Sequence, residues 1–440
     1  MANYQTTMKN SNVVITVHRG IDQIGGCITE ISTETSRVFV DFGQNLPGCA
    51  EPKTTLQDKA LVARIFANNP KPHQAVVYTH AHEDHVGLFD LIPTDVPQYI
   101  GKGGQELLLA RYELIKKQDI LFSKVGILVA KNLNDDERQK QKQEHYNKTL
   151  KEDNRRIDKI KHFHTWERTK PHAQPQSFMI GNIRITPFWN CHSIYDSYMF
   201  LIEADSKRIW HTGDYRDHGY MGKGLYPTLR RYATDIDVLI TEGTTLKRDD
   251  LCIHEREVSR RMACMMEAFK YVVVLASATD IERLAAIKEA AKKSNKELYI
   301  CSGMMSRAMK IFTQREADVS KGLFEFHPKF VKDCDDPKVK NMCHKGFVLV
   351  TGVHQPTAEH ICENLPASEV LLIYSAWDGY YKDPTQVKLN PRYKITRELY
   401  HNVVDIHTSG HASRECIKKV IDIVKPKEVI CIHKEAGAEL

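Results

Sequence analysis

The chain has 440 residues, of which 42% are hydrophobic and 27% are charged, and its formal net charge is +6. These proportions are typical of a folded globular protein and exclude a largely disordered one. No stretch approaches the roughly 18–20 apolar residues of a membrane span, and no basic and then apolar signal sequence opens the chain. The eleven cysteines form no CxxC pair, which favours a reducing compartment. We therefore expect a cytoplasmic protein that is neither secreted nor inserted in a membrane.

The first part of the chain alternates short apolar runs with turn signals. Residues 13–17, 37–43 and 75–80 are predicted to be strands, and residues 107–117 a helix. A long polar stretch at 135–161 is also predicted to be a helix, with only a thin apolar stripe.

The positive charge is concentrated in a charged insert at about 124–176. Residues 101–175 contain 17 Lys and Arg against 11 Asp and Glu, so this region accounts for the whole excess. The insert fits a solvated helical hairpin, and it also fits an electrostatic guide for a polyanion such as a nucleic-acid backbone. Acidic residues between the basic ones weaken the second interpretation, and both stay open.

Beyond the insert, apolar runs predict strands at 178–189, 199–204, 207–214 and 236–243. From about residue 244 the pattern changes to an alternation of helices and strands, which is typical of a parallel α/β unit. The helices are predicted at 255–270, at 280–294 and from 306, and the strands at 271–278, 297–303, 346–352 and 369–376.

The chain closes with a predicted helix at 414–424 and a predicted strand at 428–433. No linker rich in proline or glycine separates the α/β unit from its flanks. An insertion within one domain therefore fits better than separate domains in series.

The strongest chemical signal is the segment THAHEDH at 79–85, directly after an apolar strand. It offers His80, His82, Asp84 and His85 within six positions at the end of a strand, where the following loop can direct side chains toward one point. Imidazole and carboxylate groups suit zinc or manganese. Two such pairs exceed what one tetrahedral ion accepts, so the motif predicts two adjacent ions.

Three more candidates each close an apolar run. They are His192, Asp214 and His433. A single histidine in such a position is more often a core residue with a satisfied hydrogen bond. Three of them in addition to the first cluster favour metal ligands.

The motifs THAHEDH, NCHS (190–193) and TGDYR (212–216) resemble the metallo-β-lactamase superfamily. The downstream motifs TEGTTL (241–246) and HTSGHAS (407–413) resemble the β-CASP nucleases, and within them most of all the ribonuclease J group. The resemblance covers almost the whole chain apart from the charged insert.

The resemblance implies an α/β fold, a metallo-β-lactamase αββα sandwich with an inserted α/β β-CASP domain. It divides the chain into an N-terminal part of the metallo-β-lactamase domain at 1–243, a β-CASP domain at 244–396 and a C-terminal part of the first domain at 397–440.

The resemblance also implies roles for individual residues. The implied ligands are His80, His82 and His192 for one ion, Asp84, His85 and His433 for the second, and Asp214 between both. The implied supporting residues are Asp41 as a structural acid near the site, Glu242 as the acid that opens the β-CASP insertion, His411 facing the scissile phosphate, and Ser193, Ser409, Gly410, His411, Ala412 and Ser413 as contacts to substrate phosphate. The sequence departs from the family at Lys434, where glycine is usual, and the lysine is expected either to crowd the loop or to add charge near the substrate.

The function that follows from the resemblance is a metal-dependent ribonuclease that hydrolyses RNA phosphodiester bonds with water activated by two divalent ions. Zn²⁺ is expected first and Mn²⁺ as the alternative. Asp84, His411 and Glu242 are the candidate catalytic residues, with His411 as the proton donor to the leaving oxygen and Glu242 as its orienting carboxylate. Single-stranded RNA is the expected partner, a 5′-to-3′ exonuclease mode and a homodimer are compatible with the likeness, and no membrane is expected.

Three alternatives use the same fold. A DNA nuclease and a hydrolase of small esters or lactones would both keep the metal site. The inserted α/β unit and the HTSGHAS loop argue against a small substrate. A non-catalytic RNA-binding subunit is disfavoured because all seven expected ligands are present.

Overall fold

A computed structural model describes residues 4–46, 55–125, 135–167, 176–248, 252–316, 320–353 and 356–440. The expected charged insert at about 124–176 falls partly outside these residues. Its long polar helix lies within them and has the predicted bounds, Asp135–Lys161. The neighbouring helix is longer than the sequence predicts, because it spans Lys102–Val125. The two helices pack along each other as a hairpin.

In the described part of the chain, the first sheet has seven strands in sequential order. The first four strands pair antiparallel and the remaining pairings are parallel. The strands are β1 (Tyr4–Thr7), β2 (Val14–Arg19), β3 (Ile28–Ser32), β4 (Ser36–Val40), β5 (His73–Val77), β6 (Gln98–Gly101) and β7 (His164–Trp166).

A second sheet of six described strands faces the first. Its strands are β8 (Phe178–Ile180), β9 (Ile183–Asn190), β10 (Ser197–Ala204), β11 (Lys207–His211), β12 (Val238–Glu242) and, from the end of the chain, β19 (Glu428–Ile432). The sequence predicts one strand at 178–189, and this prediction is wrong because the segment forms two antiparallel strands. A turn at Gly181, whose φ is +56°, separates β8 from β9. β19 pairs parallel with β12, so the last strand joins the same sheet edge.

The third sheet is parallel throughout its six described strands, as the alternation of helices and strands predicts. Its strands are β13 (Tyr271–Leu275), β14 (Leu298–Ile300), β15 (Lys329–Phe330), β16 (Phe347–Thr351), β17 (Val370–Tyr374) and β18 (Asn402–Asp405).

Helices cover the outer faces of the sheets. They are α1 (Thr55–Ala67), α2 (Glu83–Val86), α3 (Lys102–Val125), α4 (Asp135–Lys161), α5 (Leu225–Tyr232), α6 (Glu255–Ala268), α7 (Ile281–Lys293), α8 (Gly303–Glu316), α9 (Lys338–Lys345), α10 (Pro356–Glu363), α11 (Gly379–Lys382), α12 (Pro384–Leu389), α13 (Arg392–Glu398) and α14 (Arg414–Val424). None of the described helices is both long and apolar enough to cross a membrane.

Buried apolar side chains hold the layers together. Val38 and Val77 of the first sheet meet Phe200 and Ile240 of the second in one core between the two sheets. A separate core lies on the outer face of the second sheet, under α5 and α14. α1 covers the outer face of the first sheet. The expected αββα sandwich with an inserted α/β unit is confirmed.

Candidate metal centre

The expected site residues meet at the carboxyl ends of strands from all three sheets. Most of them end a strand or stand in the loop that follows it, so the sheets position these side chains. Asp41 follows β4, His80 and His82 follow β5, Asp84 and His85 lie in α2, His192 follows β9, Asp214 follows β11, Glu242 ends β12, His411 lies in the loop after β18 and His433 follows β19. All are buried except His82 and His411, which are half-buried.

Three imidazoles form the first half of the centre. The Nδ1 atom of His82 lies 3.0 Å from Nε2 of His80 and 3.3 Å from Nε2 of His192. Burial lowers the pKa of all three rings, and that of His82 falls to about 4. The rings are therefore neutral near pH 7, which is the state that binds metal ions.

Carboxylates and two further imidazoles form the second half. Nε2 of His433 lies 3.2 Å from Oδ2 of Asp84, and Nε2 of His85 lies 3.1 Å from Oδ2 of Asp214. The same oxygen of Asp214 lies 3.6 Å from Nε2 of His433 and 3.7 Å from Nε2 of His192. Asp214 therefore faces both halves.

The donor set fits divalent metal ions. Ring nitrogens and carboxylate oxygens from His80, His82 and His192, and from His80, His85 and Asp214, lie within 4.8 Å of one another. Nε2 of His85 is buried, and although it lies 3.1 Å from Oδ2 of Asp214, that contact lacks hydrogen-bond geometry and no other described residue offers it a hydrogen bond. An unsatisfied buried nitrogen costs about 1–3 kcal/mol. A cation bound at this point would remove that cost, and nitrogen and oxygen donors in this number suit zinc or manganese.

Asp41 directs His85 toward the centre. Its carboxylate accepts hydrogen bonds from the backbone N–H of Thr79 at 2.7 Å, from the Thr79 hydroxyl at 2.8 Å and from Nδ1 of His85 at 2.8 Å. A donor at Nδ1 leaves Nε2 of His85 as the ligand atom. Asp41 adopts a left-handed backbone with φ +65°, and His433 does so with φ +52°. Non-glycine residues adopt this conformation at a cost in free energy, and residues strained in this way are often found at functional sites.

Thr244 connects the metal centre to Glu242, and the sequence analysis did not single it out. Its hydroxyl donates to Oε2 of Glu242 at 2.7 Å and lies 2.8 Å from Nδ1 of His433, from which it accepts. The signal was available, because Thr244 stands two residues after Glu242 in the motif TEGTTL.

The half-buried His411 and the buried Glu242 form an ion pair beside Asp214. Nδ1 of His411 lies 2.8 Å from Oε2 of Glu242 and 3.7 Å from Oδ2 of Asp214. Burial alone would lower the pKa of His411, but the carboxylate of Glu242, followed by that of Asp214, raises it to about 9. The backbone N–H of Tyr215 donates to Oε1 of Glu242 at 2.8 Å and holds that carboxylate in place.

The loop at 409–413 approaches the centre closely. Nδ1 of His192 donates to the carbonyl oxygen of Gly410 at 2.7 Å. A Cβ atom at Gly410 would lie only 2.4 Å from the hydroxyl oxygen of Ser193, so this contact requires glycine. The hydroxyl of Ser409 accepts from the backbone N–H of His411 at 3.2 Å. Ser193 thus lies against Gly410, and Ser409 lies within the loop and contacts His411.

The end of this loop is fixed from the other side. The hydroxyl of Thr245 donates to the carbonyl oxygen of Ala412 at 2.6 Å. Ser413 is the N-cap of α14, since its hydroxyl accepts from the backbone N–H of Cys416.

A buried ion network lies beneath the loop. The guanidinium of Arg216 lies 3.1 Å from Glu255, 3.3 Å from Asp280 and 3.2 Å from Glu282. It also donates to the carbonyl oxygen of Ser409 at 3.1 Å. All three acids come from the first part of the α/β unit, so the network joins that unit to the loop.

Two cysteines lie near the ligands. Cys27 is close enough to His85 and His433 to share an ion with them, and the sequence analysis did not identify it. Burial, followed by Asp214, raises the pKa of its thiol well above the ordinary value, which keeps it protonated. The thiol of Cys191 faces away from the centre and donates to Glu282 at 2.9 Å.

Part of this site matches a known family model. Residues 398–438 match the model described as RMMBL, Zn-dependent metallo-hydrolase RNA specificity domain. The chain contains an RNA-specificity domain of Zn-dependent metallo-hydrolases. The RNA-specificity domain includes β18, the loop at 409–413, α14 and β19, and it therefore carries both His411 and His433.

The whole chain is similar to curated bacterial proteins named ribonuclease J. It is 22% identical to that of Helicobacter pylori strain 26695, over 97% of this chain and 56% of the relative. It is 21% identical to that of Sinorhizobium meliloti, over 91% of this chain and 64% of the relative. Ribonuclease J 1 of Streptococcus pyogenes is 22% identical over 98% of this chain and 70% of its own length. The chain thus spans little more than half of the Helicobacter relative.

A solved structure has the same fold. It is the crystal structure of a protein of unknown function from Enterococcus faecalis V583, with a TM-score of 0.67 and 17% sequence identity. The superposition covers 98% of this chain and 94% of that one. The similarity therefore extends through the sandwich and the inserted α/β unit.

Proposed function

We propose that this protein is a metal-dependent ribonuclease that hydrolyses phosphodiester bonds of single-stranded RNA. One observation carries the proposal. The seven ligand-type side chains converge on one centre, and the His411–Glu242 pair lies directly beside it, at 3.7 Å from Asp214. The RNA-specificity domain contributes His411, and the likeness to proteins named ribonuclease J supports RNA as the substrate.

The ligand assignment is part of this proposal. His80, His82 and His192 hold one divalent ion, Asp84, His85 and His433 hold a second, and Asp214 faces both. Zn²⁺ is the first candidate and Mn²⁺ the alternative. When bound, such ions stabilise the negative charge of a phosphate and activate water as a nucleophile.

His411 supplies the proton in this scheme. Its Nδ1 atom donates to Glu242, which leaves Nε2 free to protonate the leaving oxygen as the P–O bond breaks. Glu242 holds the ring in this orientation and stabilises its protonated form. Ser193 and the backbone N–H groups of the loop at 409–413 bind the non-bridging phosphate oxygens, because successive N–H groups and hydroxyls form an anion-binding concavity.

The remaining expectations belong to the same proposal. The α/β unit, at 244–396, forms one wall of the RNA cleft, and the flanking parts, at 1–243 and 397–440, form the metal domain. A 5′-to-3′ exonuclease mode, a cytoplasmic location and a homodimer stay predictions.

The test is cleavage of end-labelled single-stranded RNA carrying a 5′-monophosphate or a 5′-hydroxyl, with Zn²⁺ or Mn²⁺ added. A His80→Ala/Asp84→Ala double variant is the control, since it removes one ligand from each proposed ion. We expect cleavage by the wild type only. Mononucleotide release that is faster from the monophosphate indicates the exonuclease mode, whereas internal fragments indicate an endonuclease.

Two outcomes would contradict the proposed function. If the metal-loaded wild type leaves RNA intact but cleaves a matched DNA oligomer or a small phosphodiester or lactone, the substrate class proposed here is wrong. If it cleaves none of these and still binds RNA, the protein is a binding subunit.

A further inference from the structure

A group of aromatic side chains lies beside the metal centre and has no part in the scheme above. Trp377 lies just before α11 and Tyr380 lies within it, and both are half-buried. Their rings meet edge to face with centroids 5.4 Å apart, and Tyr380 stacks on Tyr393 at 4.4 Å. We call Trp377, Tyr380 and Arg248 the aromatic rim.

Contacts fix the aromatic rim next to the ligands. The guanidinium carbon of Arg248 lies 4.7 Å from the centroid of the Trp377 ring. Nε of Arg248 donates to Glu435 at 2.9 Å, and Glu435 stands two residues after the expected ligand His433. Burial raises the pKa of the Tyr380 phenol, and the charge of Asp84 raises it further.

Packing alone does not account for these two rings. Tyr381 and Tyr393 pack against the core on one face of the third sheet, but Trp377 and Tyr380 are not among the described residues of that core. A Cβ atom at Gly379 would lie 2.3 Å from the indole ring, so glycine at this position lets the indole lie flat on the backbone. The indole is thus held in place outside that core by the backbone at Gly379 and by Arg248.

The chemistry of the aromatic rim suits a nucleobase. Aromatic rings and a guanidinium plane stack on bases of any sequence, because every base presents a π face. The cation of Arg248 and the nearby ammonium of Lys434, which lies 3.4 Å from its partner Asp22, match the negative charge of an RNA strand. We propose that Trp377, Tyr380 and Arg248 form a stacking site for one nucleobase of the single-stranded substrate, next to the phosphate to be cleaved. This proposal rests on the proposed ribonuclease function.

The test replaces one base at a time. Each nucleotide around the cleaved bond is exchanged in turn for an abasic ribose, and kcat/KM is measured for the first cleavage. In the wild type we expect one position at which loss of the base lowers kcat/KM by about 5- to 100-fold. Trp377→Leu and Tyr380→Leu keep apolar volume but remove the ring. In both variants the ratio of kcat/KM for intact RNA to kcat/KM for RNA that is abasic at this position should therefore fall to near one. Tyr380→Phe should keep it.

Phe330→Leu is the matched control, because Phe330 is an exposed aromatic residue on β15, at the opposite edge of the third sheet from β18. An unchanged ratio in both leucine variants contradicts the stacking site, and so does a wild type without any position of base dependence. Loss of the ratio in Phe330→Leu as well contradicts it too, since the effect would not be local. Thermal midpoints of the folded variants separate a lost ring from a lost fold.

The two proposals fail in different ways. RNA cleavage without base dependence refutes the stacking site and leaves the ribonuclease function intact. If the wild type does not cleave RNA, the ribonuclease function fails. In that case the dissociation constants of intact and abasic RNA, measured by fluorescence anisotropy, test the aromatic rim on their own, and equal constants refute it.

Discussion

Nδ1 of His411 lies 2.8 Å from Oε2 of Glu242, although the two residues are 169 positions apart in the chain. The pair forms because β12 ends at Glu242 and the loop after β18 passes the carboxyl end of β12, where His411 and Ala412 contact that carboxylate. A carboxylate at this distance orients the imidazole and stabilises its positive charge, which is what a proton donor to a leaving oxygen needs.

Glu242→Gln should therefore lower kcat by about 10²-fold or more, because the amide keeps a hydrogen-bond acceptor but loses the charge. Bound metal should stay at the wild-type level. Steady-state cleavage and metal analysis of the same preparation measure both. A parallel loss of metal would instead assign Glu242 to metal binding.

Thr244→Val should weaken metal binding by about 10- to 100-fold, because the hydroxyl that orients His433 is lost while the shape is kept. Thr29→Val is the matched control, since the Thr29 hydroxyl is buried without a hydrogen-bond partner among the described residues. Competition with a chromophoric chelator measures the affinity. Equal affinities of the two variants would show that the bond to His433 contributes nothing, and Thr244→Ser should restore the wild-type value.

Removal of metal should lower the thermal midpoint, because ions that bind only the folded state stabilise it by about 2.7 kcal/mol at a hundredfold excess over Kd. Asp214→Asn should reduce both the bound metal and this stabilisation, since Asp214 faces both halves of the centre. Asp205→Asn, at the exposed turn between β10 and β11, is the control. A chelator that leaves the wild-type midpoint unchanged would contradict structural coupling of the metal.

The stability of the fold should depend on pH through Asp196, which is not one of the proposed ligands. Burial raises its pKa to about 6, although Tyr198 and the backbone N–H of Gly104 donate to it at 2.7 Å and 2.9 Å. The folded state therefore holds a proton that the unfolded state releases near pH 4, and stability falls as pH rises from about 4 to 6.

Asp196→Asn removes this titration. The stability of the wild type relative to Asp196→Asn should drop by about 2–3 kcal/mol between pH 4 and pH 7. Urea midpoints of both proteins across this range give the difference. A difference that does not change with pH would mean that Asp196 is ionised in the folded protein throughout.

Arg216→Met should destabilise the fold by about 3–5 kcal/mol, because it leaves Glu255, Asp280 and Glu282 buried without their shared cation. Arg260→Met is the contrast, since Arg260 is exposed and pairs with Glu257 at the surface. The surface pair should contribute much less than the buried network, because solvent screens its charges. Similar losses in both variants would show that burial of the Arg216 network does not matter.

Much of the candidate site is readable in the sequence because the proposed ligands stand at the ends of strongly apolar strands. THAHEDH follows such a strand, and His192, Asp214 and His433 each close another. A strand end is a local feature, so residue spacing predicts it. The long helix Asp135–Lys161 is equally local and was predicted to the residue.

The parts of the site that could not be predicted from the sequence are those that depend on contacts between residues far apart in the chain. Thr244 matters because β19 brings His433 beside it, and Arg216 because α6 and α7 bring three acids to it. Both stand in motifs that the sequence shows, TEGTTL and TGDYR, but the contacts that give them their roles come from distant elements. The divided strand at 178–189 is a different case, since Gly181 was visible and the apolar runs on both sides outweighed it.

The pairing of β19 with β12 can form only late in the synthesis of the chain. Asp84 and His433 are 349 residues apart, which at about 5–20 residues per second corresponds to roughly 20–70 s of translation. The first cluster of imidazoles is therefore made long before the strand that carries His433. A nascent chain on the ribosome has an incomplete centre for this whole period, and the centre closes only when β19 joins the finished sheet.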